Sequence, residues 1–461
     1  MSQALKTDLY QLTMMQAYFA GNHNPYATFD YFVRNIPFGS YLVVAGLPLV
    51  VSHIEKLEFD SNDLEYLAKQ NLFTRDFLKY LERFRFKGEI TGMPEGELAF
   101  SNEPVLRVRA HIMEAQLIET FVLNKMNFSS LVATKASRIV HAAKGKSIAE
   151  FGMRRAQGEA QLEAARASFI GGCSATSNVY AGKELGIPIT GTMSHSYVTS
   201  FKNEIDAFRV YSETFSDNTI LLIDTYDSFV GAQKAVEVAK DMECRGHRLK
   251  AVRIDSGDLL KISKEVRNIF DKAGCPYVKI FASSDLNEWK IQKLLQGGAP
   301  IDAFGVGTEM VTATPSPALG GVYKLVEIED PKGNSIPKMK LSNEREKTTL
   351  PGRKTVWRFY NSKGLMKEDI VTLEDEKINC SGNFKNIHVP FVKKGQVVYQ
   401  YPSLMEIQNQ VKTNLSFLPE KYQAIDNAPF YPVKISPSLK KLAQNMTRFF
   451  QTHSFNRPKV K

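Results

Sequence analysis

The middle of the chain alternates short β-rich runs with helical stretches, and this alternation restricts the fold more than any other feature. The β-rich runs each end in a polar or glycine-containing turn; they read SIAEFGM, ASFIGG, GIPITGT, TILLIDTYD, LKAVRIDSGD, VKIFASSD and IDAFGVGT. Helical stretches lie between them, such as LLKISKEVRNIFDKAG, whose apolar residues recur at helical spacing before a stop at Gly274. Seven or eight such units predict a (β/α) barrel, with an open doubly wound sheet as the alternative.

Length and composition indicate a globular protein with more than one domain. The chain has 461 residues, of which 43% are hydrophobic, enough for a large buried core. It has no uncharged apolar run of about 18 residues and no basic, then apolar, leader, so we expect a cytosolic protein with no membrane partner. The four cysteines are scattered, with no CxxC pair, which argues against both a zinc site and a disulfide framework.

The net charge of +10 is concentrated in two stretches. The tail from Tyr431 to Lys461 has seven Lys or Arg residues and no acid, and residues 332–367 have ten against two. We interpret the tail as a solvated segment and expect no nucleic-acid partner. A small polyanionic substrate would suit the second stretch equally well.

Charged, hydroxylic or glycine residues end six of the predicted strands. These ends are Phe151-Gly152-Met153-Arg154-Arg155, Gly191-Thr192-Met193-Ser194-His195, Asp224-Thr225-Tyr226-Asp227, Arg253-Ile254-Asp255-Ser256-Gly257-Asp258, Ser283-Ser284-Asp285 and Gly305-Val306-Gly307-Thr308. One Asp or Ser after a strand is usually a helix N-cap. Six polar ends at the mouth of a barrel instead predict an active site.

The strand ends suggest an anionic, ribose-bearing ligand. The FASSD and FGVGT loops offer backbone N–H groups to a phosphate at predicted helix N-termini. In RIDSGD, Arg253 and Asp255 project from the same side of a strand, so the Arg could grip a carboxylate while the Asp accepts from ribose hydroxyls. The alternative is an internal ion pair.

The stretch GTMSHSYVTS places His195 between two serines after a short apolar run. A histidine in this position is either aimed at a substrate or satisfied by a neighbouring carbonyl. Ser194 and Ser196 either orient its ring or cap the following helix.

Read together, these motifs resemble the nicotinate phosphoribosyltransferase family. The matching blocks follow that family's order over most of residues 5 to 370; they include TDLYQLTMMQAYF, FVRNIPFGSYLVVAGL, EFGMRRAQG, GGCSATSN, GIPITGTMSHSYV, LLIDTYD, VRIDSGDL, SSDLNEWKI, FGVGTEMVTATPSPALGGVYKLVEI and KLSNEREKTTLPGRKTVWRFYNSKG. The resemblance implies the type II phosphoribosyltransferase fold, an irregular α/β barrel plus an α/β sandwich from both chain ends. We accordingly expect residues 1–115 and 331–461 in the sandwich and residues 116–330 in the barrel.

The resemblance also implies an activity and its partners. The expected reaction transfers phosphoribosyl from phosphoribosyl pyrophosphate to nicotinate, giving nicotinate mononucleotide and pyrophosphate, the first step of NAD salvage from nicotinate. Mg²⁺ would accompany the pyrophosphate, and ATP hydrolysis would be coupled through a phosphohistidine at His195. Members of the family are homodimers with active sites shared between subunits.

Site residues follow from the resemblance position by position. Tyr10 and Phe151 match the residues that sandwich the pyridine ring, and Arg253 and Arg154 match cations near the nicotinate carboxylate and ribosyl phosphate. Catalytic roles are expected for His195, Arg253, Asp255 and Asp224. The ribose and phosphate set is Asp255, Gly257, Ser283, Ser284, Gly305, Gly307 and Thr308, and the pyrophosphate or nucleotide set is Arg34, Lys347 and Arg353.

Three rival functions are weighed against this one. Nicotinamide phosphoribosyltransferase shares the fold but takes a neutral substrate, whereas the paired arginines of EFGMRRAQG favour an acid. Quinolinate phosphoribosyltransferase is shorter and has no use for the histidine. A noncatalytic barrel that binds phosphosugars or nucleic acid would not need an intact set of strand-end residues.

Overall fold

The computed structural model describes residues 3–342, 348–378 and 382–454. The chain divides into a central unit, Val132–Pro317, and a terminal unit made of Met1–Leu131 and Ala318–Lys461. The predicted boundaries at residues 115/116 and 330/331 differ from these divisions. One reason is that Gly321–Glu329, which the prediction placed in the barrel, is a strand of the terminal unit and pairs with Tyr26–Val33.

The central unit contains a parallel sheet of six paired strands in the part of the chain that is described. The strands are β6 (Ser147–Glu150), β7 (Ala175–Thr176), β8 (Ile220–Leu222), β9 (Ala251–Ile254), β10 (Lys279–Ser283) and β11 (Ala303–Val306). Their order is β7-β6-β11-β10-β9-β8, so the sheet is an open half-barrel with edges at β7 and β8. Most of their residues are buried, as expected for parallel strands covered on both faces.

Two predicted strands of the barrel are absent as such. ASFIGG lies mostly in a helix, Ala160–Ile170, because the alanine-rich stretch before it favours helix and a short apolar run does not by itself distinguish the two. GIPITGT is reduced to one parallel bridge between Ile189 and Thr176, beside Pro188, which has no N–H to donate to a ladder.

Helices connect the strands of the central unit. They are α7 (Ala160–Ile170), α8 (Val179–Leu185), α9 (His195–Thr199), α10 (Glu204–Thr214), α11 (Ser228–Cys244), α12 (Leu259–Lys272), α13 (Glu288–Gln296) and α14 (Thr308–Val311). Asp227 caps α11 by accepting from the N–H groups of Phe229 and Val230, and Asp258 caps α12 from Leu260 and Lys261. The N-cap interpretation of strand-end acids is therefore correct for these two residues.

The terminal unit is built from strands of both chain ends, as the sandwich prediction required. Its strands are β1 (Tyr26–Val33), β2 (Leu42–Val43), β3 (Glu89–Gly92), β4 (Leu98–Ala99), β5 (Pro104–His111), β12 (Gly321–Glu329), β13 (Ser335–Pro337), β14 (Lys354–Tyr360), β15 (Met366–Leu373), β16 (Asn383–Asn386), β17 (Val389–Lys393), β18 (Gln396–Val397) and β19 (Val433–Ile435). One sheet has the order β13-β12-β1-β5-β3-β17-β18, a second has β16-β14-β15-β19, and β2 pairs with β4. Strand β1 thus lies between β5 and β12, two strands far apart in sequence.

The remaining helices belong to the terminal unit or contain its division from the central unit. They are α1 (Leu9–Ala20), α2 (Leu47–Glu55), α3 (Ser61–Lys69), α4 (Arg75–Glu82), α5 (Ile112–Leu117), α6 (Glu119–Ala142), α15 (Leu404–Phe417) and α16 (Pro437–Ser454), with a 3₁₀ turn at Glu420–Tyr422. Much of the basic tail is therefore helix α16, and residues 455–461 lie outside the described part. No described helix is long and apolar enough to cross a bilayer.

A buried ionic cluster lies in the terminal unit. Arg358, on β14, is fully buried; its Nε donates to both carboxylate oxygens of Asp369 at 3.1 Å, and its Nη1 donates to Glu97 at 2.6 Å. The Tyr431 hydroxyl also donates to Asp369. Each charge of the cluster thus has a hydrogen-bonded partner of opposite sign, which a buried ion requires.

Candidate active site

The carboxyl ends of β8 to β11 bring together most of the predicted catalytic residues. Because neighbouring parallel strands end at the same edge of a sheet, residues that follow different strands become neighbours there. Arg253 and Asp255 come from the end of β9, Ser283 from the end of β10 and Asp224 from the turn after β8. These residues form one hydrogen-bonded network.

Arg253 is the centre of this network, and its side chain is only 16% exposed. Its Nε donates to the Ser283 hydroxyl at 2.7 Å, and its Nη1 donates to the Thr192 hydroxyl at 3.0 Å. Its Nη2 lies 3.0 Å from an Asp255 carboxylate oxygen. The internal ion pair of Arg253 with Asp255, which was the alternative interpretation of RIDSGD, is therefore present, and the guanidinium is held in one orientation by several partners.

Asp255 connects Arg253 to the histidine. Its Oδ1 accepts from the Ser283 hydroxyl at 2.5 Å, and its Oδ2 lies 3.7 Å from His195 Nε2. Burial raises the pKa of Asp255. The Ser283 hydrogen bond, Arg253 and His195 lower the pKa by more than burial raises it, so the net pKa is below its usual value. Asp255 is thus a carboxylate at neutral pH.

His195 is the first residue of α9, and its side chain is 44% exposed. Its Nδ1 lies 3.2 Å from the Thr225 hydroxyl, within hydrogen-bond distance. Ser194 and Ser196 bond to one another at 2.7 Å, and Ser194 makes no side-chain cap bond. Neither serine contacts the ring, so Thr225 and Asp255 are the groups that orient it.

Asp224 accepts hydrogen bonds from residues that follow β9, the neighbouring strand. Its Oδ2 accepts from the Asp255 N–H at 2.9 Å and from the Ser256 hydroxyl at 2.6 Å. Its Oδ1 is buried and has no hydrogen-bond partner among the described residues. Gly257 follows with a φ of +80°, a conformation that favours glycine. Asp224 and Asp255 thus differ from Asp227 and Asp258, which cap helices.

Phe151 follows β6 and lies against the same end of the sheet. Its ring centroid lies 5.6 Å from that of Phe281, and the Arg253 guanidinium lies 5.7 Å from it. Gly305 makes room for the ring, since a Cβ there would come within 2.7 Å of two ring carbons. Gly307 likewise approaches the Phe151 carbonyl, where a Cβ would lie at 2.9 Å. Both glycines of FGVGT are therefore explained by packing on Phe151.

The predicted phosphate loops differ from one another in the structure. Gly307 and Thr308 lie at the start of α14, which has only four residues. Ser283 and Ser284 do not lie at a helix N-terminus, because α13 begins at Glu288 and is capped by Asn287. Ser284 has a φ of 153°, a strained value for a residue with a side chain and one that clusters at functional sites. Its side chain is exposed.

Arg154 lies in the turn after Phe151 and is exposed. Among the described residues it has no hydrogen-bond or ion-pair partner. It therefore offers a guanidinium fork that no carboxylate of the described chain neutralises, unlike Arg253.

Known proteins resemble this chain over nearly all of its length. The nicotinate phosphoribosyltransferase N-terminal domain matches residues 5–127, the nicotinate phosphoribosyltransferase family matches 146–374, and the C-terminal domain matches 378–443. The nicotinate phosphoribosyltransferase of Bacillus subtilis is 42% identical, over 94% of this chain and 93% of that protein. The chain belongs to the nicotinate phosphoribosyltransferase family. It is accordingly an enzyme of that family.

Other relatives and solved structures agree with this assignment. The nicotinate phosphoribosyltransferase of Caenorhabditis elegans is 34% identical, over 95% of this chain and 92% of that protein. The crystal structure of human nicotinic acid phosphoribosyltransferase has a TM-score of 0.86 at 28% identity, covering 95% of this chain and 99% of that one. A nicotinate-nucleotide pyrophosphorylase from Pyrococcus furiosus has a TM-score of 0.72 at 26% identity, covering 90% and 95%. The predicted type II phosphoribosyltransferase fold is confirmed.

Several residues at the site had no role assigned to them by the sequence analysis. Thr192 and Thr225 hold Arg253 and His195, and Glu150 and Thr176 lie beneath the Phe151 turn. Thr192 and Thr225 are next to residues that the prediction singled out, so hydroxyls beside strand-end charges were the available signal. No sequence signal marks Glu150, because an acid at the end of a β-rich run does not reveal that it is buried.

Four residues expected to contact substrate belong to the terminal unit or lie outside the described residues. Tyr10, on α1, is 47% exposed. Arg34 follows β1 and lines a cleft of about 540 Å³, with its guanidinium 5.8 Å from the Phe32 ring. Lys347 lies outside the described residues.

Arg353 has an environment that differs from the prediction. Its Nε lies 3.0 Å from Glu327, and Glu374 and Asp375 lie within 3.8 and 3.9 Å of its other nitrogens. A guanidinium surrounded by three carboxylates presents little positive potential to a phosphate. Its environment in this unit is that of an ion-pair network.

No group of three or more His, Cys, Asp or Glu side chains in the described part of the chain could hold a metal ion. Mg²⁺ usually keeps several waters and is bound through one or two carboxylates together with substrate phosphates. The strand-end carboxylates Asp224 and Asp255 therefore form no metal site made by the described chain alone.

Proposed function

We propose that this enzyme forms nicotinate mononucleotide and pyrophosphate from nicotinate and phosphoribosyl pyrophosphate, with coupled ATP hydrolysis, in the salvage of NAD. The observation that carries the proposal is the network of Arg253, Asp255, Ser283 and His195 at one end of the parallel sheet. It places a cation, a carboxylate and an accessible imidazole together in a chain of this family.

Nicotinate binding is assigned to Phe151, Arg154 and Arg253. The face of the Phe151 ring suits a flat, electron-poor heterocycle. Arg154 has no described partner, so it can take the nicotinate carboxylate as a bidentate pair. Arg253 is already partly neutralised by Asp255 and adds orientation and residual positive potential.

Ribose and 5′-phosphate binding is assigned to the strand ends of β9 to β11. Asp255 accepts from ribose hydroxyls through Oδ2, the oxygen that Ser283 does not occupy. Positive charge that develops on the ribose is stabilised by Asp224, whose Oδ1 has no partner among the described residues, or by Asp255. The phosphate cradle is assigned to Gly257, Ser283, Ser284, Gly305, Gly307 and Thr308, of which the strained Ser284 contributes an exposed hydroxyl.

Chemistry at the ribose needs no general base. The pyridine nitrogen is unprotonated near neutral pH, and it displaces pyrophosphate from a carbon with oxocarbenium character. Alignment of the ring with the ribose and stabilisation of the leaving pyrophosphate, as its Mg²⁺ complex, account for the acceleration. In a homodimer with shared sites, Tyr10 is assigned to the second face of the pyridine, and Arg34 and Lys347 are assigned as cations for the phosphates. Arg353 joins this set only if its carboxylate partners release it.

His195 is assigned as the group that ATP phosphorylates. A ring nitrogen attacks the γ-phosphorus, the bond from phosphorus to the bridging oxygen breaks, and ADP leaves; water later hydrolyses the phosphohistidine. The ring is accessible and is oriented by Thr225, and Arg253 lies beyond Asp255 to balance the added charge. This step couples ATP hydrolysis to product formation.

The test is product formation from phosphoribosyl pyrophosphate and Mg²⁺ with nicotinate or nicotinamide, each with and without ATP. Wild type and His195→Ala are compared. We expect nicotinate turnover that ATP stimulates, with the stimulation absent in the variant and the ATP-independent rate retained. Turnover of nicotinamide alone would assign the sister activity, and turnover of neither would refute the proposal.

A further inference from the structure

One buried carboxyl group beneath the nicotinate end of the site has no part in the reaction described so far. Glu150 is the last residue of β6 and is only 2% exposed. Burial raises its pKa, and the Thr176 hydroxyl and the Gly152 N–H oppose that rise only in part. No cation of the described chain is among the groups that act on it. A buried acid without a cation costs stability, so packing alone does not explain it.

The carboxyl group of Glu150 joins two strand ends. One oxygen accepts from the Gly152 N–H, and the other accepts from the Thr176 hydroxyl at 2.5 Å. The Thr176 hydroxyl in turn accepts from the Asn178 N–H at 3.0 Å. Since Glu150 and Thr176 are direct neighbours in the pairing of β6 with β7, the link is short and rigid.

Gly152 is fixed on both sides of its own backbone. Its N–H is held by Glu150, and its carbonyl accepts from the N–H groups of Arg155 and Ala156 at 2.8 and 3.0 Å. A Cβ at Gly152 would lie 2.9 Å from the Glu150 carboxyl and 2.3 Å from Val311. Phe151 precedes Gly152 in this turn and Arg154 follows it. The Gly152 peptide that lies between them is therefore fixed by its hydrogen bond to Glu150.

We propose that Glu150 is a positioning residue for nicotinate: its carboxyl group fixes the Gly152 peptide and thereby places the Phe151 ring and the Arg154 guanidinium relative to one another. This inference rests on the proposed function, which gives those two side chains to nicotinate. Glu150 does not touch substrate. Its effect should be largest at the pyridine end of the site, because Asp255 and Ser283, which are assigned to the ribose and phosphate, follow or end β9 and β10.

The experiment compares steady-state kinetics of Glu150→Ala, Glu150→Gln and wild type, varying nicotinate and phosphoribosyl pyrophosphate separately. In Glu150→Ala the KM for nicotinate should rise roughly tenfold or more, with kcat within about threefold and the KM for phosphoribosyl pyrophosphate within about twofold. Glu150→Gln keeps an acceptor for Gly152 and should stay within about threefold of wild type in every constant. Glu204→Gln, which alters another buried acid of the central unit paired with Lys234, should leave the KM for nicotinate unchanged.

The outcomes separate positioning from a structural role. A lowered melting temperature and lowered kcat in Glu150→Ala with both KM values unchanged would overturn the inference and leave the proposed function standing. If Glu150→Ala does not fold, Thr176→Val removes one of the two bonds; a selective rise of the nicotinate KM of roughly threefold supports positioning, and no rise refutes it. A wild-type enzyme inactive with nicotinate would refute both proposals.

Discussion

Two arginines of this protein are each held by carboxylates, but in opposite ways. Arg358, in the terminal unit, is fully buried, and Asp369 and Glu97 occupy its donors in a bidentate and a single pairing. Arg253, in the central unit, keeps part of its surface exposed and bonds to one carboxylate, two hydroxyls and a carbonyl. The first guanidinium is fully enclosed by its protein partners, whereas the second is partly open to solvent.

The difference separates a structural ion pair from a functional one on physical grounds. Removing one member of a buried pair leaves an uncompensated charge, and the cost appears in the free energy of unfolding. Removing a partly exposed cation at the site lets water enter in its place, so we expect the larger cost in ligand binding or catalysis. Four variants test this separation, in order of decreasing effect.

Asp369→Ala should have the largest effect. It leaves Arg358 buried without its bidentate partner, so we expect the free energy of unfolding to fall by about 3–5 kcal/mol, measured by urea denaturation. Asp375→Ala is the matched control, because Asp375 lies 3.9 Å from Arg353 but is 89% exposed, and it should change stability by less than about 0.5 kcal/mol. Equal effects of the two variants would contradict the distinction.

Arg253→Ala should have a large effect on activity and a small effect on stability, the reverse of Asp369→Ala. We expect kcat/KM for nicotinate to fall about 100-fold, equivalent to about 2.7 kcal/mol, because the guanidinium bonds to Ser283 and Asp255 and, in the proposed function, helps to orient nicotinate. The free energy of unfolding should change by about 1 kcal/mol, the value of a partly exposed hydrogen-bonded side chain. A stability loss as large as that of Asp369→Ala would show that Arg253 is chiefly structural.

Asp255→Asn should lower kcat about tenfold while the protein stays folded, because the amide cannot balance positive charge on the ribose. The assignment is wrong for this residue if turnover is unchanged.

The pH dependence of stability gives a second readout of Asp255. The folded-state pKa of Asp255 is lowered, so its ionised form stabilises the fold fully above the unfolded pKa of about 3.9, and this stabilisation is lost as pH falls through the lower folded value. The stability difference from Asp255→Asn should therefore be present at pH 8, where Arg253 and Ser283 still act on the carboxylate, and shrink as the pH falls below about 4.

Asp258→Ala should have the smallest effect. Asp258 is three residues from Asp255 but accepts from the Leu260 and Lys261 N–H groups as the cap of α12. Its loss should cost about 1 kcal/mol of stability and leave kcat within about twofold. A tenfold loss of activity would instead place Asp258 in the site and contradict the distinction between acids that cap helices and acids that act at the site.

The sequence was sufficient for five of the six described strands of the parallel sheet and for the residues at their ends, because periodicity and turn chemistry are local properties. It was insufficient for the number of strands. The apolar runs ASFIGG and GIPIT have strand-like patterns, but the first continues a helix and the second forms only one β-bridge. It also could not separate Asp224 and Asp255 from Asp227 and Asp258, because all four follow strands. The environment of Arg353 depends on Glu327 and Glu374, which pairing of distant strands brings to it.

The insertion of the central unit between β5 and β12 affects synthesis as well as architecture. Strand β1 ends at Val33, but its partner β12 ends at Glu329. One edge of β1 therefore stays unpaired while the ribosome adds 296 further residues. At about 5–20 residues per second this takes roughly 15 to 60 s. An unpaired, largely apolar edge invites pairing with other chains. Asp30 lies in the middle of that strand, where a charge opposes such pairing until Lys354, 2.9 Å away in the finished protein, arrives to neutralise it.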